Sequence, residues 1–232
     1  MESPSRMAEK TASHERKSIF VLARFERWAL PRIAAALPRW VVPDHLTFLG
    51  VLAATWIAVC YALSNRNDLW LWGASAGLVV HWFGDSLDGT LARVRKIERP
   101  RYGYYLDHLT DAYSTTAIGI GLGLSPYMLL SVGLAIVIAY LVLSINVYLE
   151  THTLGEFQFG YGWMGPTEAR VVLIGLNTLA LFRPPLPFHV GVVGATLFDL
   201  IGGLVALTMG GLLLARVVTN LRRLAALEPP RR

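Results

Sequence analysis

The chain has a single cysteine, Cys60, so no intrachain disulfide can form. Charge is scarce too. Asp, Glu, Lys and Arg make up 16% of the 232 residues against 54% hydrophobic, and the mean hydropathy is +0.46. That balance excludes an ordinary soluble domain of this length. No apolar stretch precedes a small-residue cleavage site near the start, so a secretory signal is not expected. Low-complexity tracts, internal repeats and any recognisable nucleic-acid module are missing, and nucleic acid is not an expected partner. Between residues 112 and 169 there is no lysine or arginine, while Glu150, Glu156 and Glu168 fall in that interval.

Apolar runs of membrane-spanning length, about 20 residues each, are plentiful. They place spans at 46–63, 69–92, 104–124, 128–148, 168–182 and 190–217, the fifth being short. Basic residues orient them. Eight lysines and arginines precede the first span, five lie in 93–101 and five follow from Arg216; Arg170 falls on the same side, and only Arg66 and Arg183 occupy the alternate loops. Both termini and the 93–101 loop are therefore expected in the cytoplasm. The expected fold is an all-α integral membrane bundle of six transmembrane helices. It would comprise a cytoplasmic segment 1–45, a membrane domain 46–220 and a cytoplasmic tail 221–232, in a bacterial-type inner membrane. The net charge of +5 gathers on the cytoplasmic side, where it suits anionic lipid headgroups and phosphate-bearing substrates.

In 18–38, Ile19, Phe20, Leu22, Phe25, Trp28, Ala29 and Leu30 alternate with Arg24, Glu26, Arg27 and Arg32. This predicts an amphipathic helix, kinked or broken at Pro31, that lies at the membrane interface or packs on the bundle.

The ionisable residues inside the apolar sequence are few and ordered. Asp85, Asp88, Gly89, Ala92 and Arg93 close the second span; Gly103, Asp107 and Asp111 open the third. Charged residues in such surroundings are costly and mark functional sites. Positions three or four apart share a helix face, so Asp85, Asp88 and Ala92 form one stripe and Gly103, Asp107 and Asp111 another. Two adjacent antiparallel helices then point four carboxylates into one pocket near the cytoplasmic surface. Oxygen-only ligation favours magnesium, manganese or calcium, and four carboxylates suffice for two such ions clamping a phosphoryl group. Gly89 and Ala92 clear space beside them, and Arg93 offers a planar fork for a phosphate.

The pattern D-x-x-D-G-x-x-A-R, a loop, then G-x-x-x-D-x-x-x-D resembles the signature of the CDP-alcohol phosphatidyltransferase family, with every signature residue present. One departure is Asp44 after Pro43, where many relatives have asparagine. The resemblance implies two divalent ions, Mg2+ or Mn2+, on Asp85, Asp88, Asp107 and Asp111. It implies that Asp111 is also the general base for the acceptor hydroxyl. It implies a CDP-binding part made by Asp85, Asp88, Gly89, Ala92, Arg93 and Gly103, with Thr47 beside them. It also implies a homodimer, a CDP-linked substrate, a lipid acceptor and release of CMP.

Two substrate readings follow. Asp107-His108 and Thr167-Glu168 resemble the choline/ethanolamine phosphotransferase branch, and the cation-free stretch 112–169 would welcome an ammonium group. This favours a CDP-choline or CDP-ethanolamine donor and diacylglycerol as acceptor, with Glu150, Glu168 and Trp163 near the headgroup. His108 would assist proton transfer, or pack near the interface. The aromatic loop 157–163 fits an ammonium cage or an interfacial belt. The alternative is phosphatidyl transfer from CDP-diacylglycerol to a small alcohol such as inositol, glycerol phosphate, serine or choline. A divalent-cation carrier is the competing class, disfavoured because the aspartates cluster near one membrane face. Gly73 with Gly77 and Gly119 with Gly123 permit close helix contacts, within one chain or at a dimer seam.

Overall fold

The structure, a computed structural model, describes residues 22–154, 165–183, 188–190 and 193–228. Among these, seven α-helices follow one another: α1 Ala23–Ala36, α2 Pro43–Leu63, α3 Trp70–Arg95, α4 Pro100–Gly123, α5 Leu130–Leu154, α6 Pro166–Phe182 and α7 Leu197–Leu227. Before α7, β1 (Phe188–Val190) pairs antiparallel with β2 (Val193–Ala195), Phe188 opposite Ala195.

Local chemistry sets the helix ends. Proline opens α2, α4 and α6, where its missing N–H costs nothing and its fixed φ is already helical. Lys96 takes a left-handed conformation (φ 56°) after α3, and Ile97 N–H reaches back to Ala92 O at 3.0 Å, turning the chain sharply into α4. Thr196 caps α7, its hydroxyl accepting from Phe198 and Asp199 N–H while Asp199 accepts from Thr196 N–H at 2.8 Å.

The bundle is built on α2, which packs against α3 and α4; α5 lies between α4 and α7, and α6 and α1 lie on α3. At one end, Arg95 donates to the Leu37, Pro38 and Val41 carbonyls, and Arg99 pairs with Asp44 at 2.5 Å. The start of α2, the end of α3 and the start of α4 therefore meet there. At the other end, Tyr127 donates to Asp68 at 2.6 Å and Leu129 N–H to Asp199 at 2.6 Å. Between them, Tyr61 of α2 donates to Asn177 of α6 (3.2 Å), which donates to Ser75 of α3 (3.2 Å), so the buried amide is paired.

The small-residue pairs lie inside the chain. A Cβ on Gly73 or Gly77 would meet Cys60 or Ile57 of α2 at 2.9 and 2.7 Å, and one on Gly119 would meet Val137 of α5 at 2.5 Å. They seat neighbouring helices rather than offering a seam to a second copy. The tightest approach near the aspartates is at Gly84, where a Cβ would lie 2.6 Å from Leu46 O and 2.8 Å from Gly50 N.

Helices α2, α5 and α7 are long and apolar enough to cross a membrane by length and composition. The aspartates and arginines of α3 and α4 and the 17-residue length of α6 leave those three less apolar or shorter. Two helix boundaries differ from the apolar runs. The last helix begins at Leu197, after the hairpin, and continues through Leu227 into the stretch read as a tail, because 218–227 has no proline or glycine to stop it. The helix α1 runs on past Pro31 without a break. Its ring removes one backbone donor, while Ala29, Leu30 and Ala34 remain buried.

Candidate active site

The carboxylates come from α3 and α4, which run antiparallel on either side of α2. Oxygens of Asp85, Asp107 and Asp111 converge within 4.8 Å of one another. Such an all-oxygen group fits a hard divalent cation; without one, the three negative charges would repel. Asp88 stands beside them but not among the converging oxygens. Thr47 of α2 donates its hydroxyl to Asp88 Oδ2 at 2.7 Å, and Gly89 N–H donates to Oδ1 at 2.5 Å. The Gly84–Gly50 approach makes the Thr47 contact possible by letting α2 and α3 touch backbone to backbone. A narrow cleft between these helices is lined by Thr47, Gly50, His81, Asp85, Asp88 and Ser114.

Two residues join the site that spacing alone did not assign to it. Arg170, near the start of α6, donates Nη2 to Asp85 Oδ2 at 2.5 Å and Nε to His81 Nδ1 at 3.1 Å. Both Arg170 and His81 are buried. His81 sits four residues before Asp85 on the same face, a signal present in the sequence. Arg170 had none, since its partner lies 85 positions away.

The nucleotide candidates occupy the rim. Gly89 and Gly103 are exposed, and a Cβ on Gly103 would meet open space. Ala92 is half-buried, and Arg93 donates Nη2 to Thr90 at 3.0 Å along its own helix. Asp44, the departure from the family pattern, pairs with Arg99, whose guanidinium lies 3.9 Å over the Tyr102 ring. The hydrogen bond to Asp44 raises Arg99 above its usual pKa.

Two of the acceptor candidates already have partners within the chain. Glu150 is 5% exposed and accepts from Arg216 of α7 at 2.8 Å. Glu168 caps its own helix, accepting from Gly165 N–H at 3.0 Å, and also accepts from Leu22 N–H of α1 at 2.7 Å. Neither is a bare carboxylate facing a substrate. The stretch 112–169 lacks cations in sequence, yet the fold brings in Arg170 and Arg216 from outside it. His108 donates Nδ1 to Tyr104 O at 2.7 Å and stacks on Tyr104 (centroids 4.1 Å), with Tyr148 edge-on at 5.1 Å. It is held as a packed ring, 3.9 Å from Asp107. Trp163, Glu156 and the aromatic loop lie outside the described residues.

Residues 40–209 match the sequence profile of CDP-alcohol phosphatidyltransferase, which covers most of the chain. The chain belongs to this family. With three helices long and apolar enough to cross a membrane, it is a membrane protein of that family. Over 96 residues it is 33% identical to a phosphatidylinositol phosphate synthase of Cutibacterium acnes, matching 40% of this chain and 43% of the relative. The chain thus spans under half the length of the curated relative it matches. A crystal structure of the Mycobacterium tuberculosis phosphatidylinositol phosphate synthase with CDP-DAG bound is similar over 85% of this chain and 92% of that one, at 24% identity and a TM-score of 0.49.

Proposed function

We propose that the protein transfers a phosphatidyl group from CDP-diacylglycerol to a small alcohol bearing a phosphate, releasing CMP. The observation that carries this is Arg170 on Asp85: a fixed, buried cation stands at the aspartate group, where an anionic acceptor needs one. The name of the Cutibacterium acnes relative points the same way. The three features that favoured a CDP-choline type of donor each have another place. His108 is packed between tyrosines, Thr167 and Glu168 hold helix ends together, and the acidic stretch is met by arginines.

In this reading Asp85, Asp107 and Asp111 hold divalent ions, Mg2+ or Mn2+, with Asp88 completing the set for two. When bound, those ions neutralise the diphosphate and favour departure of CMP. Thr47 orients Asp88, and Arg170 pairs with Asp85. Asp111 takes the proton from the acceptor hydroxyl, a poor nucleophile without a base in reach. Gly89, Ala92 and Gly103 leave room for the cytidine nucleotide, and Arg93 meets its phosphate. The helices α2 to α7 span the membrane six times with the site facing the cytoplasm, and α1 lies at the interface with Phe25 and Trp28 exposed. The chain is a homodimer by family resemblance, its seam lying elsewhere than the glycine pairs.

The test offers purified protein CDP-diacylglycerol with phosphorylated and unphosphorylated forms of the same small alcohols, and identifies lipid products by mass spectrometry. Product with the phosphorylated members is expected; product with the unphosphorylated members alone would overturn the acceptor assignment.

A further inference from the structure

Helix α1 reaches the surroundings of the site through one carboxylate. Glu26 Oε1 accepts from the Trp82 indole N–H of α3 at 2.9 Å and from the Thr167 hydroxyl of α6 at 2.5 Å. Glu168, the next residue of α6, accepts from Leu22 N–H at the start of α1. The N-terminal ends of α1 and α6 are thus tied together, and Glu26 ties both to α3. All of these polar contacts are partly shielded from solvent.

Trp82 precedes Asp85 by three residues on α3, and Thr167 precedes Arg170 by three on α6. Residues three apart lie one above the other on a helix. Because α6 runs antiparallel to α3 (Asn177 meets Ser75 while Arg170 meets Asp85), Trp82 and Thr167 lie on opposite sides of the Arg170–Asp85 pair, and Glu26 spans them. The helix α6 is short, 17 residues, and packs mainly on α3, with Asn177 on Ser75 fixing its middle and the Glu26 contacts its start.

We infer that Glu26 is a positioning residue: by bridging Trp82 and Thr167 it sets where the start of α6 sits on α3, and so holds the Arg170 guanidinium on Asp85. This rests on reading Asp85, Asp107 and Asp111 as the metal-holding group. Arg170 holds Asp85 Oδ2, and a cation at the aspartates would draw on the same carboxylate, so loosening Arg170 frees Asp85 for the cation.

Mn2+ binding to the purified full chain, followed by electron paramagnetic resonance without substrate, tests this. Arg170→Ala should tighten Mn2+ binding, and Glu26→Ala should shift it the same way by about threefold or more, a usual size for coupled neighbours. Glu26→Gln keeps an acceptor oxygen and should stay within about twofold of wild type. The double variant Glu26→Ala/Arg170→Ala should match Arg170→Ala alone. Thr167→Val removes only the α6 end of the bridge and should reproduce Glu26→Ala even if the latter folds poorly. Additive effects in the double variant, a Glu26→Gln as altered as Glu26→Ala, or wild-type Mn2+ affinity in Thr167→Val would overturn the inference. A wild-type protein that binds no Mn2+ would overturn the metal reading beneath it.

Discussion

Asp111 and Arg170 carry opposite charges into the same small volume, and their proposed tasks separate under substitution. Asp111→Asn keeps the shape but not the proton acceptor. CMP release should fall about 100-fold or more, the usual contribution of a general base, while binding of the CDP-linked donor survives. A variant retaining most of the wild-type rate in a CMP-release assay would remove Asp111 from that role. Arg170→Ala should instead raise KM for the phosphorylated acceptor more than that for the donor. Loss of a charge-assisted contact costs about 1.5–3 kcal/mol, roughly a tenfold change or more, and equal shifts for both substrates would argue against an acceptor role. The aspartates were legible in the sequence because each pair follows helical spacing. Arg170 was not, because an arginine on a short helix gives no local sign of a partner three helices earlier. The acidic interval 112–169 misled for the same reason, since charge counted along the chain says nothing of arginines that packing brings from elsewhere.

At the scale of elements, the positions of α2, α3, α4 and α6 were readable from apolar runs of spanning length. The start of α7 was not, because the apolar stretch 190–217 hides a short hairpin whose residues are as hydrophobic as the helix after it. Glycines sort by what faces them. At Gly84 any added side chain strikes the backbone of α2, so Gly84→Val should lower the thermal midpoint by overpacking, at a cost of about 1–3 kcal/mol, and should separate Thr47 from Asp88. At Gly103 the space is open, so Gly103→Ala should leave the midpoint unchanged and raise KM for the CDP-linked donor. Thermal unfolding in detergent with donor kinetics checks both; an unchanged midpoint for Gly84→Val would show that α2 and α3 can part without loss.

For the whole molecule, the basic loops, the helix ends tied by Arg95 and Arg99, and the aspartates all gather at one end of the bundle. That placement suits the proposed meeting of a water-soluble alcohol with a CDP-linked lipid at a membrane surface. Removing divalent cations should stop turnover, and restoring Mg2+ or Mn2+ should recover it; full activity in excess EDTA would contradict the metal assignment. The central claim concerns the donor. Its most direct measurement is CMP release by purified protein in lipid vesicles, with Mg2+ present, given either CDP-diacylglycerol plus phosphorylated small alcohols or CDP-choline plus diacylglycerol. The account predicts CMP and a new phospholipid from CDP-diacylglycerol alone; CMP formed only from CDP-choline would contradict it.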